Sequence, residues 1–461
     1  MASVLLVSPP YYKAYSTGQY MSDSMPLGLG YIASYLQEKN GAELKIIDFG
    51  ICEYSNQIWV DNIVNFKPTF IGFSTLTLGY QQVIKMAKIA RKINPGIILI
   101  SGGPHATICP EDMLEYCDIV IQGEGEETFS EIISGKPLPE IEGIAYRVQG
   151  KNMSNKSRQR INNLDDLPFP AYDKFNMSAY KQHGVMGSRG CPFACSFCAS
   201  PVLWGRVLKL RAASNILDEI QMLHEKYGVK SIVFQDDTFN LTPARGITIC
   251  DEIIKRHLNE SMSFTMQMRA NKECISPVLF SKMKEANCTE LTFGIESGSD
   301  KVLEAINKNL TVAEARNAVR MAHNAGISHV KGFFMIGNWQ ETPADILKTW
   351  YFIAVNPVET IFTASTPLPG TTLYEKSKAS GYIKTVDWSK VDWVTPISRT
   401  DKLPKSAVKV FYFLTVIFIH FPAHIRSGNA KSLLKSIWNF GLNNLMRIRH
   451  PHVRAMVVDN S

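Results

Sequence analysis

Two long stretches of this chain alternate short β-branched runs with amphipathic helical patterns, and that alternation restricts the architecture more than any other feature. The first runs through residues 3–134: SVLLVS, a helical pattern from Leu27 to Lys39, LKIID, a helix near 55–66, TFIGFST, a helix over 80–92, GIILIS, DIVIQ, and a helix opened by GEGEET. Strands separated by helices make βαβ units, so the spacing predicts a parallel, doubly wound sheet of Rossmann-like form. Such sheets bind ligands at the carboxyl ends of their strands. Those ends carry Ser8-Pro9-Pro10, Asp48, Ser74-Thr75-Leu76-Thr77, Gly102-Gly103-Pro104-His105 and Gly123-Glu124-Gly125-Glu126, all small, polar or glycine-rich. That edge is the candidate site of the first domain.

The pattern lapses over 136–182, where Pro137, Pro139, Pro168 and Pro170 and a polar stretch from Lys151 to Arg160 read as a linker with a small hairpin. It then resumes with six strand signals: GVMGS, SIVFQ, SFTMQM, TELTFG, HVKGFFMIG and TIFTAS, with helices between them. Six units are too few for the closed eight-stranded barrel of about 250 residues, so an open, partial barrel is expected. The fold expected is therefore α/β: a doubly wound sheet over 1–140, a linker over 141–182, a partial (β/α)6 barrel over 183–385, and a helical, basic extension over 386–461.

Composition excludes several classes. Hydrophobic residues make up 45% and charged residues 20% of 461, close to a globular average, which argues against disorder or a membrane bundle. From Asp401 onward nine Lys or Arg face two Asp, which accounts for the whole net charge of +7. A neutral body with a basic tail argues against a broad nucleic-acid surface. The N-terminus lacks a basic n-region, so no secretory signal is expected, and nine cysteines in such a chain read as reduced cytosolic thiols. The apolar stretch from Val410 to Phe421 is short of the roughly 20 residues that span a bilayer. It reads as packing over the barrel mouth, with at most peripheral contact between the basic tail and an anionic lipid surface.

Three cysteines need their own explanation. Cys191-Pro-Phe-Ala-Cys195-Ser-Phe-Cys198 follows the first strand of the second series directly. Thiolates at these spacings can wrap three corners of one iron–sulfur cluster and leave a fourth iron open. A zinc site would want a fourth ligand nearby, and His183 and His224 are badly placed. The other six cysteines read as ordinary thiols, Cys109 lying nearest the ligand edge. Glycine-rich Gly28-Leu-Gly30-Tyr-Ile-Ala33, with Asp48 beyond it, imitates a dinucleotide fingerprint. Nineteen residues separate it from the first strand, however, so its glycines are read as allowing close packing at a helix start.

The cysteine loop, with an aromatic before its last Cys and a six-unit barrel around it, resembles the radical S-adenosylmethionine superfamily. The resemblance implies a 4Fe-4S cluster on Cys191, Cys195 and Cys198, whose open iron chelates S-adenosylmethionine and whose electron yields a 5′-deoxyadenosyl radical. It implies further cofactor contacts at strand ends: Asp236 or Asp237 near the amino group, Arg269 and Glu296 near the carboxylate and ribose, with Phe197, Ser297 and Gly337 beside them. Taken alone, Asp236-Asp237-Thr238 reads equally well as a helix N-cap. The first domain, with VSPP, PLGLGYIASYL, SGGPHAT and QGEGEET, resembles the cobalamin-binding domain of one branch of that superfamily, which contains methyltransferases and an anaerobic porphyrin ring cyclase. Ser8, Pro9, Thr75, Thr77, Gly102, Gly103, His105, Gly123 and Glu124 are the implied cobalamin residues. The usual Asp-x-His-x-x-Gly fingerprint is absent, so no histidine is expected beneath the cobalt. The function implied is radical methylation of an unactivated carbon with cobalamin, the alternatives being radical ring formation or a cluster-binding protein without catalysis. A small-molecule or lipid-like substrate, an electron donor such as a flavodoxin or ferredoxin, and a cytoplasmic location complete the expectation.

Overall fold

The computed structural model describes residues 2–12, 19–20, 22–383, 388, 391 and 396–426. The N-terminal sheet is built from β1 (Ser3–Ser8), β2 (Glu43–Asp48), β3 (Phe70–Ser74), β4 (Ile98–Gly102) and β5 (Ile119–Ile121), in the order β2-β1-β3-β4-β5 and all parallel. This is a doubly wound order whose switch point lies between β1 and β3, where ligands of such sheets bind. Its faces are covered by α1 (Leu27–Asn40), α2 (Asn56–Phe66), α3 (Tyr80–Ile93) and α6 (Glu126–Ile133), with two short helices, α4 (Pro104–Ile108) and α5 (Pro110–Leu114), between β4 and β5. The hairpin of the proline-rich stretch, β6 (Ile144–Val148) and β7 (Lys151–Ser154), does not stand apart in a linker. It pairs antiparallel with β5 and lengthens this sheet to seven strands.

The second unit is a sheet of six parallel strands in sequence order: β8 (His183–Val185), β9 (Ser231–Phe234), β10 (Ser263–Met268), β11 (Cys288–Glu296), β12 (His329–Ile336) and β13 (Glu359–Ala364). Helices α8 (Ala213–Tyr227), α9 (Pro243–Lys255), α10 (Pro277–Glu285), α12 (Val312–Asn324) and α13 (Pro343–Val355) lie between successive strands. This is the open barrel that the strand count predicts, and one large apolar cluster fills the space between strands and helices.

The last described helix, α15 (Lys405–Arg426), does not cover the barrel mouth as its aromatic run suggests. Tyr412 stacks on Phe362 of β13 at 5.2 Å, and Val408 and Tyr412 pack with Ile336 of β12 and Ile346 of α13. Trp350 of α13 donates from Nε1 to Thr415 Oγ1 at 2.8 Å. Phe333 and Met335 line the barrel interior, so the alternation along β12 turns Ile336 outward, and α15 covers the outer face. The basic residues beyond Arg426 lie outside the described residues. Among the described residues no helix is long and apolar enough to cross a membrane.

Candidate active site

The site is organised by the loop after β8. Asp236, just beyond β9, accepts from Gly187 N–H at 3.0 Å and from the Ser188 hydroxyl, and so braces the backbone leading to Cys191. Burial pushes its carboxyl up, against these bonds and the nearby Arg245. The adjacent Asp237 turns the other way, into the cysteine-lined cavity, where it accepts from Ser200 Oγ at 2.9 Å. Burial raises its carboxyl too, while Ser200, the Gly190 amide and Arg160 oppose the rise. Of the two candidate aspartates, the structure therefore brings only Asp237 to the cavity.

That cavity has about 170 Å³ and is lined by all three loop cysteines. Among the described residues no fourth cysteine and no histidine joins them in its lining, so the donor set suits a cluster held at three corners and not a closed zinc site. Burial raises Cys198 to about 11, the Ser200 amide opposing and the neighbouring Cys195, Asp237 and Cys191 adding to the rise. Arg269, at the end of β10, places Nη1 3.7 Å from Cys195 Sγ and lies 3.6 Å over the Phe193 ring. Nε bonds Asn271 Oδ1 at 2.8 Å. The guanidinium thus supplies positive charge beside the thiols and is fixed by ring and amide.

Glu296 reaches the cavity through a local irregularity. The register of β11 on β12 shifts between Gly294 and Glu296, and Glu296 takes φ +70°, a left-handed conformation that a non-glycine residue holds only where its surroundings impose it. Its Oε1 accepts from Lys308 Nζ at 2.7 Å, both groups being buried. Lys308 was not singled out from the sequence. It sits between Asn307 and Asn309, both at positive φ, so the one signal in the sequence is the turn that the two Asn favour. Phe197 lines the same cavity, with Lys308 Nζ 5.8 Å from its ring centre.

Two predicted cofactor residues lie elsewhere. Ser297 is fully buried behind β11, 3.2 Å from Thr349 Oγ1, and joins that strand to α13. Gly337, at φ +91°, donates its N–H to Glu341 at 2.7 Å in the turn after β12. Neither is among the residues lining the cavity. A second, mainly apolar cavity of about 240 Å³ adjoins the first, sharing Phe197, Glu296 and Phe333 and adding Met335, Ala364 and Leu368.

In the first domain the strand-end loops interlock. Thr75 is buried, its hydroxyl 2.8 Å from Ser101 Oγ and its N–H donating to Gly102 O. A side chain on Gly103, at φ +95°, would meet the Thr75 backbone at 3.1 Å. Gly123, at φ +87° with open space around its Cα, donates to Thr107 Oγ1 at 3.1 Å. Ser8 ends β1 at the switch point, with Pro9 buried beside it. His105 is wholly buried, 3.2 Å from Thr77 Oγ1 through Nδ1.

Glu124 has a different task. With Glu126 it receives the two arms of Arg189, each at 2.7 Å, all three groups being nearly inaccessible. Ile161 N–H also donates to Glu124 at 2.8 Å, and Arg160 donates to the Arg189 carbonyl at 3.1 Å. Arg189 stands two residues before Cys191, so this ion pair ties the ligand edge of one unit directly to the cysteine loop of the other. Gly30 serves the same junction: a Cβ there would come within 2.8 Å of Pro170. The dinucleotide-like glycine is therefore a packing glycine.

Comparison with known proteins agrees with this layout. A B12 binding domain model matches residues 17–133 and a radical SAM superfamily model matches residues 185–349. The chain is 34% identical over 438 residues to an uncharacterized methyltransferase of Pyrococcus horikoshii, covering 90% of this chain and 94% of the relative. It is 30% identical over 374 residues to cytidylyl-2-hydroxyethylphosphonate methyltransferase of Streptomyces wedmorensis, covering 68% of each. An anaerobic magnesium-protoporphyrin IX monomethyl ester cyclase of Rubrivivax gelatinosus is 24% identical over 445 residues, with 91% and 79% covered. Among solved structures, the cobalamin-dependent radical enzyme OxsB superposes with a TM-score of 0.74 at 18% identity, covering 91% of this chain and 67% of that one. The radical methyltransferase TsrM of Kitasatospora setae gives 0.69 at 15% identity, with 84% and 78% covered.

Proposed function

The chain belongs to the radical S-adenosylmethionine superfamily, in the branch that carries an N-terminal B12-binding domain, and from that premise we propose that it methylates an unactivated carbon of an apolar small molecule. The observation that carries the proposal is the Arg189 clamp, which holds the loop after β5, at the carboxyl edge of the first sheet, to the cysteine loop, so that a corrinoid bound at that edge would share one reaction space with the cluster. Bound there, the cluster supplies an electron to the sulfonium of S-adenosylmethionine and the corrinoid supplies a transferable methyl group.

The chain's own residues do the rest. Cys191, Cys195 and Cys198 hold iron, and Arg269 offsets the negative charge their thiolates introduce. Asp237 would accept from the ammonium of S-adenosylmethionine, while Glu296, oriented by its ion pair with Lys308, would accept from the ribose hydroxyls. Phe193 and Phe197 exclude water from the cysteines. Ser8, the Thr75–Thr77 loop, Gly102, Gly103 and Gly123 form the corrinoid edge, their small size letting a flat macrocycle approach the backbone. The substrate occupies the apolar cavity beside Glu296, and an electron donor of flavodoxin or ferredoxin type supplies the reducing equivalent.

Anaerobically reconstituted protein with cobalamin, reductant and a candidate substrate tests this. One S-adenosylmethionine loses its methyl group and becomes S-adenosylhomocysteine; a second is cleaved to methionine and 5′-deoxyadenosine, which takes up the substrate hydrogen. Equal amounts of the two nucleoside products, with label from a deuterated methyl group in the substrate, are expected. 5′-Deoxyadenosine without S-adenosylhomocysteine, in protein that retains corrinoid, would point instead to the ring-forming chemistry named for the cyclase relatives.

A further inference from the structure

Beside the corrinoid edge lies a cluster of donor atoms with no part in the chemistry above. His105 is on α4, Cys109 joins α4 to α5, and Asp112 is on α5. One nitrogen, one sulfur and one carboxylate oxygen from them lie within 4.8 Å of one another. The His105 ring is fully buried between Tyr80, 4.8 Å away, and Trp388, 6.2 Å away. Its Nδ1 is held by Thr77 Oγ1 at 3.2 Å. Its Nε2 is buried and makes no hydrogen bond among the described residues, although Asp112 Oδ2 faces it at 3.3 Å.

A buried imidazole whose Nδ1 is fixed and whose Nε2 meets only the Asp112 carboxylate, with no hydrogen bond among the described residues, is short of a partner that a bound ion would supply. Metal-ligating histidines have this arrangement, an outer partner on one nitrogen setting the tautomer and leaving the other for the ion. We propose that His105 Nε2, Cys109 Sγ and the Asp112 carboxylate form a site for a divalent cation of zinc type, with a fourth position open to water or another small ligand. Nitrogen, thiolate and carboxylate together suit a borderline ion better than magnesium or calcium, which prefer oxygen alone. The Asp112 side chain is 39% exposed, so an ion has a way in from solvent. Binding transfers the Cys109 thiol proton to solvent and oxidises nothing. The ion would fasten α4 to α5, and through α4 the surface that packs against α7 (Ser200–Trp204), the short helix that follows the cysteine loop.

The test uses the full chain, reconstituted with iron and sulfide, incubated with Zn²⁺ and passed over a weak chelator. Metal analysis and zinc-edge X-ray absorption read zinc without interference from iron or cobalt. Expected is about one zinc per chain in a shell of one sulfur with nitrogen and oxygen, beside about four irons. Cys109→Ser and Asp112→Asn should each weaken zinc retention by about tenfold or more, with iron content and cluster absorption unchanged. No retained zinc, a shell of three sulfurs, or retention unaffected in both variants overturns the proposal. If His105→Ala releases corrinoid yet keeps zinc, the ring belongs to the corrinoid site and the proposal also fails.

Discussion

Removing the arginine that joins the two units should destabilise the protein and also uncouple its chemistry. Side chains of Arg189, Glu124 and Glu126 are 6%, 5% and 4% exposed, with both N···O distances at 2.7 Å. Arg189→Met keeps most of the stem and deletes the charge. Glu124 then retains the Ile161 amide and Arg160, at 3.7 Å, whereas Glu126 loses the one ion pair it makes among the described residues. Breaking a buried pair from one side costs about 3 to 5 kcal/mol, because the partner charge stays buried without compensation. In a unit of this size that corresponds to a fall in Tm on the order of 10 °C. Adding Glu126→Gln to Arg189→Met should restore at least about 1.5 kcal/mol, the coupling expected of groups in direct contact. The second effect is functional: the corrinoid edge is no longer held against the cysteine loop, and a misplacement of about 1 Å can cost 100-fold in rate. Urea unfolding gives the first quantity, and the ratio of S-adenosylhomocysteine to 5′-deoxyadenosine gives the second. A loss below about 1 kcal/mol, or an unchanged product ratio, would refute the assignment of Arg189 as a clamp between sites.

Three further outcomes are expected. Asp237→Asn should raise the KM for S-adenosylmethionine with iron content intact, whereas Asp236→Asn should lower cluster retention because Gly187 and Ser188 lose their charged acceptor; iron assay and cleavage kinetics separate the two. Burial raises Glu341 to about 7 against the Gly337 and Asn338 amides, so the folded chain keeps a proton that the unfolded chain releases near 4.5. Stability present below pH 4.5 is therefore lost as pH rises through 7, by about 3 kcal/mol, and Glu341→Gln should remove that slope from a Tm-against-pH series. Tyr412→Ala should cost about 3 kcal/mol by analogy with other buried aromatics, read by thermal unfolding, since Tyr412 stacks on β13 and packs with Ile336.

Periodicity made the strand and helix series legible, because a parallel sheet covered on both faces requires continuous apolar strands and amphipathic helices. Pairing between distant segments leaves no such trace. Nothing local in Ile144–Val148 says that it will extend the first sheet through β5, and the three buried residues opening that strand gain meaning only beside their partner. The cysteine loop was readable since its spacing is itself the chemistry. Asp236 and Asp237 were not separable, because neighbouring residues leave a strand in opposite directions and which one enters the cavity depends on the register of β9 against β8. Glu296 owes its orientation to a register shift, and Glu124 its task to a residue 65 positions away. The aromatic run of α15 was legible as packing, but the face it covers was set by which side of β12 and β13 remained bare.

The two cavities divide the barrel chemically, and that division bears on the substrate. Strands β9 to β11 deliver charge to the interior through Asp237, Arg269 and Glu296, joined by Lys308 from the following turn. The interior faces of β12 and β13 deliver Phe333, Met335, Thr363 and Ala364, with Leu368 beyond. A zwitterionic cofactor is matched by the first half, where each charged side chain has a partner in place. A carbon without an activating group offers no charge to recognise, so an enzyme acting on it must hold it by shape and apolar contact. The second half supplies that kind of surface. Phe197, Glu296 and Phe333 line both cavities, so in the function proposed above the reacting carbon and the cofactor would meet across one seam, with Glu296 fixed on the polar side by its ion pair with Lys308.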